Sequence, residues 1–297
     1  MKKGVLILFP VFFFIFSGMG LNEKYTVDKP GEAVPEQSVP AGCLDKTGEP
    51  PVFCSPDDFE PGLKEDFFPR VSCPGQSGKE DHEIIVHDGF SLCYRESYEQ
   101  AEWVAYIITA DKLEKNAERT NDFREDFLVS TGSASPGDYK YSGYDRGHLA
   151  PAADMAYSTE TMSQSFLMSN MSPQAPGFNR GIWKNLEAQV RAWAEEYNPL
   201  YVVTGPVLEE KVYPVIGENQ VAVPEYYYKV LYTPETPEGK PAMAAFIIPN
   251  ESVKDPFSSF LVTVDEVEEK TGLDFFWDLE DVVENSLESE MALNPWF

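Results

Sequence analysis

The sequence predicts an α+β fold, with a mainly antiparallel central sheet flanked by helices. Three observations carry that prediction. Short apolar runs, many of them β-branched or aromatic, alternate with polar turns. One stretch, 179–197, has a clear helical repeat. The chain shows no internal repeat, and its few helical segments are scattered among strands, which is the α+β pattern. The 297 residues suffice for one large domain or two small ones, with ample material for a core.

The elements follow in order. Met-Lys-Lys precedes an apolar run from Gly4 to Leu21, so residues 1–20 read as a secretory signal peptide. The run is long enough to rival a minimal membrane span, and left uncleaved it would anchor the chain to a membrane. Pro10 and Gly18 interrupt it and its end is small, which favours cleavage after Gly20. Residues 21–82 are rich in Pro, Gly, Glu and Asp and read as a linker or a disulfide-pinned extension. The regular domain is expected over 83–278, opening with a hairpin in which Glu83–Val86 and Phe90–Tyr94 flank His-Asp-Gly. Trp103–Thr109 is a third strand, and 111–143 is mostly loop. A short helix at Thr159–Phe166 and a short apolar strand at Phe166–Met171 come next. The helix Asn179–Tyr197 follows, its face built from Trp183, Leu186, Val190, Trp193 and Tyr197. Strands are expected at Leu200–Thr204, Val221–Val223, Tyr226–Tyr232, Met243–Ile248 and Phe260–Val264. A helix from Asp265 to Thr271, stopped by Gly272, then closes the domain. Residues 279–297 read as an acidic, mobile tail.

Cys43, Cys54, Cys73 and Cys93 make an even count in an exported chain, which favours disulfides over zinc, since no Cys-x-x-Cys pair exists. Proximity in sequence suggests Cys43–Cys54 and Cys73–Cys93, but four cysteines allow three pairings. The signal and the cysteines together point to a secreted or periplasmic location.

The net charge is −27. It is unevenly spread: 1–111 carries 9 basic and 19 acidic side chains, 112–191 carries 9 and 10, and 192–297 carries 5 and 21. Most of the acid is solvated surface. The middle segment is nearly neutral, and it contains the residues with the clearest chemistry.

Only three histidines exist: His82, His87 and His148. His148 stands in Tyr144-Asp-Arg-Gly-His-Leu-Ala-Pro-Ala-Ala, two residues after a guanidinium and one after a glycine. A neutral imidazole is the side chain best suited to take a proton from water near neutral pH. Asp145 and Arg146 could orient that loop or meet an anion. No carboxylate cluster lies near it to hold a metal. The candidates are the amides Asn170 and Asn179, whose oxygens are hard ligands suited to Mg²⁺. Asn179 also reads as a helix N-cap. Glu187 comes eight residues later, which in regular helix is about 80° round and about 12 Å along. The two could share one ion only through water, or if Asn179 lay outside the regular helix.

This set resembles the DNA/RNA non-specific endonucleases, the ββα-metal nucleases that include the endonuclease G-like enzymes. The resemblance runs from about Ile84 to Phe276, through Asp122-Phe-Arg-Glu-Asp, Tyr141-Ser-Gly-Tyr-Asp-Arg-Gly-His-Leu-Ala, Leu167-Met-Ser-Asn-Met-Ser-Pro-Gln, Asn179-Arg-Gly-Ile-Trp-Lys-Asn-Leu-Glu, Val202-Val-Thr-Gly-Pro and Thr271-Gly-Leu-Asp-Phe-Phe. It implies a ββα-metal nuclease site on the α+β fold. His148 is then the general base, Asn179 the direct Mg²⁺ ligand (Mn²⁺ may substitute), and Glu187 the holder of water around the ion. Asn170 helps orient the site and Arg146 supports the phosphate. Arg119 is the other phosphate-binding arginine, with Arg124 as its rival. The implied substrates are DNA and RNA, cut to 5′-phosphate and 3′-hydroxyl ends, and a homodimer is compatible with the resemblance.

Two other readings fit the acidic composition. One is a phosphodiesterase acting on small substrates, for which the remote charge matters less. The other is an acidic decoy that binds a basic partner, with a vestigial nuclease site.

Overall fold

The computed structural model describes residues 71–73, 81–291 and 295–296, all within the compact unit Pro61–Phe297. The signal-like segment, Cys43 and Cys54 lie outside the described residues.

Strands β1 (His82–Val86) and β2 (Ser91–Arg95) form the expected hairpin. The turn is closed by His87 N donating to Phe90 O at 2.8 Å. Strand β3 (Gln100–Ile108) pairs with β2. The polar segment after it is loop, as its composition predicts. Then come β4 (Asp145–His148), α1 (Thr159–Gln164), β5 (Met171–Gln174) and α2 (Lys184–Glu196). Next are β6 (Leu200–Pro206), β7 (Val215–Ile216), β8 (Val221–Ala222), β9 (Tyr226–Thr233), β10 (Ala242–Pro249) and β11 (Leu261–Val262). Helices α3 (Val264–Thr271) and α4 (Asp281–Glu288) follow.

The main sheet has seven strands in the order β1-β2-β3-β6-β9-β10-β11, every neighbouring pair antiparallel. It is covered on both faces. Alternate residues of β9 divide accordingly: Tyr227 and Leu231 face the core beneath α2, while Tyr228, Val230 and Tyr232 face the core beneath α3. On the α2 side Leu186, Val190 and Trp193 meet Val202, Leu231 and Phe246. Each such side chain contributes roughly 1.5–3 kcal/mol on burial. Helix α3 is held at both ends. Thr263 and Glu266 form a reciprocal capping box, and Gly272, at φ 70°, takes the left-handed conformation that a side chain would resist.

Three expectations are corrected. The apolar run Phe166–Met171 is not a strand. It makes a 3₁₀ turn at Met168–Asn170, and pairing starts at Met171, opposite His148. An apolar run shows burial, and here the burial is in a turn. The helix foreseen from Asn179 begins as a wide π-type turn, Phe178–Trp183, and becomes α-helical only at Lys184. The stretch read as a mobile tail carries α4 and returns a buried Trp296 to the domain, whose carbonyl accepts from Trp193 Nε1 at 2.9 Å.

Among the paired cysteines foreseen, Cys73–Cys93 is formed. It ties the end of the extension to β2, where Trp103 Nε1 also donates to Ser72 O at 3.0 Å.

Candidate active site

Strands β4 and β5 form a separate two-stranded antiparallel sheet, and the chain then enters α2 through the π-type turn. That β-β-α unit carries His148, Asn179 and Glu187. Gly147 is needed in it: a Cβ there would lie 2.1 Å from Gln174 Cδ, inside the pairing of β4 with β5.

His148 Nε2 is buried and has no hydrogen-bond partner. The ring meets Phe166 edge-on at 4.9 Å and Phe123 at 5.8 Å. Arg119 lies over the Phe166 ring at 4.8 Å and Arg146 over the Phe123 ring at 3.9 Å. Two aromatic rings and two guanidinium groups therefore surround one imidazole. Burial, then Arg119 and Arg146, push its pKa down to about 3. His148 is neutral at any ordinary pH, with a lone pair or proton on Nε2 uncommitted. The other histidines are spent on carboxylates, His82 on Glu102 at 2.8 Å and His87 on Asp126 at 2.9 Å.

The two asparagines separate cleanly. Asn170 is fully buried and fully used: Oδ1 accepts from Ala150 N at 2.8 Å, and Nδ2 donates to Ala150 O at 2.9 Å and Ser165 O at 2.8 Å. It clips the chain just after His148, with its oxygen and both amide hydrogens engaged on backbone. Asn179 makes one side-chain bond, from Nδ2 to Asp145 Oδ2 at 3.0 Å. Asp145 is also gripped by Arg180 at 2.8 and 2.5 Å. This pins the amide so that its nitrogen is occupied and its oxygen is left over for a hard cation. The donor set fits a metal of the magnesium kind.

Between Asn179 and Glu187 the helical path is interrupted at Gly181. Its φ −105° and ψ −108° break the helical path between them, so Asn179 lies outside regular helix. Glu187 in α2 feels Arg119, as does His148. Arg119 thus stands within electrostatic range of both groups. Arg124, its rival, is bonded to Asp122 at 2.9 Å and to Ser163 O at 3.0 Å and makes no ring contact with His148 or its neighbours.

Sequence reasoning missed what lies beneath Glu187. Lys229, on the α2 side of β9, is fully buried, sits 4.8 Å from the Trp183 ring, and its Nζ has no hydrogen-bond partner. Burial raises the Glu187 pKa, Lys229 opposes that rise, and Asp154 adds to it. Asp154 is itself buried, paired with Arg191 at 2.6 Å and accepting from Tyr106 Oη at 3.0 Å. The available signal was a charge inside an apolar run: Lys229 in Tyr-Tyr-Tyr-Lys-Val-Leu-Tyr, and Asp154 in Ala-Ala-Asp-Met. Beside the site, Lys140 and Arg146 line a surface hollow together with Pro136, Tyr139, Tyr144 and Asp145.

Comparison with known proteins places the chain among nucleases. Residues 70–282 match the family model of the DNA/RNA non-specific endonucleases. The chain is 36% identical over 206 residues to the mitochondrial endonuclease G of Homo sapiens, covering 65% of this chain and 69% of that protein. It is 36% identical over 223 residues to a nuclease of Nostoc sp., covering 71% and 79%. Among solved structures, a chain of the EndoG/EndoGI complex, described as showing the mechanism of EndoG inhibition, superposes with a TM-score of 0.63. It is 35% identical, and the match covers 66% of this chain and 86% of that one.

Proposed function

The chain belongs to the DNA/RNA non-specific endonuclease family, a family of metal-dependent nucleases, and from that premise we propose that it is an exported, Mg²⁺-dependent endonuclease with His148 as general base. The observation that carries the reading is the state of His148: a neutral imidazole between two arginines that, unlike His82 and His87, is bonded to no carboxylate.

Phosphodiester hydrolysis needs a base for water, cations around the phosphate and a metal against the developing charge. His148 takes the proton from the attacking water. Its low pKa makes it a weak base but keeps every copy of it deprotonated and ready. Arg119 and Arg146, each backed by a phenyl ring, offer guanidinium groups to the non-bridging oxygens. Asn170 fixes the backbone after His148. Asn179, through Oδ1, and Glu187, through water, would hold the ion. A bound Mg²⁺, or Mn²⁺ in its place, supplies positive charge where the departing 3′ oxygen turns negative. Lys229 opposes the burial that raises the Glu187 pKa, and so favours its ionised form. The Cys73–Cys93 disulfide and the Met-Lys-Lys signal segment support export.

The test is digestion of supercoiled plasmid and of long single-stranded RNA at low salt, with Mg²⁺ and with EDTA. The proposal expects both to be cut with Mg²⁺, leaving 5′-phosphate ends, and neither with EDTA. Cleavage that persists in EDTA, or none with Mg²⁺, overturns it. The net charge of −27 makes one further arm informative. Short phosphodiesters cleaved faster than long DNA, with little salt dependence, would establish the small-substrate reading instead. A folded protein that cuts nothing and captures basic partners would establish the decoy.

A further inference from the structure

Away from the nuclease site, α3 and α4 bring Asp265, Glu268 and Glu288 together so that one oxygen of each lies within 4.8 Å of the others. Oxygens bound to a single ion at about 2.4 Å cannot be further apart than about 4.8 Å, so the spacing is that of one shared cation. The second observation concerns Glu288. It is only 6% exposed, and its Oε1 is buried without any hydrogen-bond partner. Glu284, one turn earlier, has an Oε1 in the same condition.

Among the described residues none of Asp265, Glu268, Glu284 and Glu288 forms an ion pair with a Lys or Arg. Glu268 Oε1 accepts one backbone bond, from Phe275 N at 2.9 Å. Glu266, in the same helix, is spent on the capping box. Buried carboxylates are ordinarily paired or on a metal.

We propose that Asp265, Glu268 and Glu288 form a Ca²⁺ site, separate from the nuclease centre, that fastens α4 to α3. Calcium suits it better than magnesium. Three convergent carboxylates supply three to six oxygens with loose geometry, whereas Mg²⁺ keeps most of its waters and takes one or two carboxylates. Leu287 and Leu279 pack against the same core as Val264 and Val267, so an ion here joins two helices that already share an apolar seam. The affinity expected is that of extracellular modules, a Kd of about 0.1–1 mM, which suits a protein working outside the cell.

The probe is Ca²⁺ itself, added to the full chain in saturating Mg²⁺, read by thermal unfolding and by calorimetric titration. The parent should take up one Ca²⁺ and gain about 3–10 °C at 10 mM. Asn179→Ala should gain as much, because its lesion is in the nuclease centre. Glu288→Gln should lose the gain, yet in EDTA it should be at least as stable as the parent, having shed a repelling charge. Asp265→Asn, at an exposed position that tolerates the swap, should lose the gain too. Plasmid cleavage in Mg²⁺ should be unchanged in both carboxylate variants. Absence of a Ca²⁺ effect in the parent overturns the proposal. So does a gain that survives both carboxylate substitutions, or one that disappears in Asn179→Ala.

Discussion

Replacing Asp145 with alanine tests how the amide of Asn179 is aimed. Asp145 accepts from Asn179 Nδ2 at 3.0 Å and from Arg180 at 2.8 and 2.5 Å. Arg180 is 71% exposed, so its pair adds little to stability. The bond to Asn179 is worth about 1 kcal/mol. For a domain of this size that is a fall in Tm of about 2–4 °C. The functional cost is larger. Without Asp145 the amide loses the partner that keeps its nitrogen away from the ion, and loss of such an outer partner costs about 10–100-fold in metal affinity. The assay is plasmid nicking by Asp145→Ala as a function of Mg²⁺ concentration. Half-activation should need 10–100-fold more Mg²⁺, with the maximal rate approached at high metal. Asp145→Asn, which keeps an acceptor, should fall between. An unchanged Mg²⁺ requirement, together with a loss of stability, would make Asp145 a mere structural ion pair and refute the reasoning.

Two further outcomes follow from the buried charges. His148 titrates near 3 in the folded protein and near 6.5 unfolded, so the unfolded chain gains a proton on acidification that the native protein refuses. The stability present above pH 6.5 is therefore lost as pH falls towards 3. By pH 5 the loss reaches roughly 1–2 kcal/mol. Thermal melts of parent and His148→Gln from pH 7.5 to 4.5 should diverge in the parent's disfavour, and parallel curves would contradict a buried neutral histidine. Lys229→Met removes the cation that favours ionised Glu187. The acidic limb of the pH–rate profile should move up by about a unit or more, while a stability loss without that movement would leave Lys229 a packing residue only.

The sequence made the outline of the fold legible where a pattern of physical origin was strong. The hairpin around His87-Asp-Gly89, the strand Tyr226–Tyr232 and the apolar face of 183–197 each follow from burial with a period, and the structure has all three. Where burial lacks a period the reading slipped. Phe166–Met168 are buried in a turn, and α4 is amphipathic but was hidden by its acid. The site was legible as a set of residue types and not as a geometry. The motif around His148 marked the histidine proposed as base, yet only the structure separates Asn170, whose oxygen and both amide hydrogens are engaged, from Asn179, whose oxygen makes no bond. Gly181 was invisible as the break that takes Asn179 out of regular helix. Asp154 and Lys229 meet Glu187 across long separations in sequence, and no local pattern records that encounter.

The most direct test of the account is the rate at which His148→Ala cleaves supercoiled plasmid under saturating Mg²⁺, measured beside the parent in single-turnover conditions. Loss of the general base should slow cleavage by about 10²–10⁴-fold, with unfolding temperature and DNA affinity close to those of the parent. Cleavage by His148→Ala at the parent's rate would show that another group activates the water, and the mechanism built on the neutral His148 imidazole would fall.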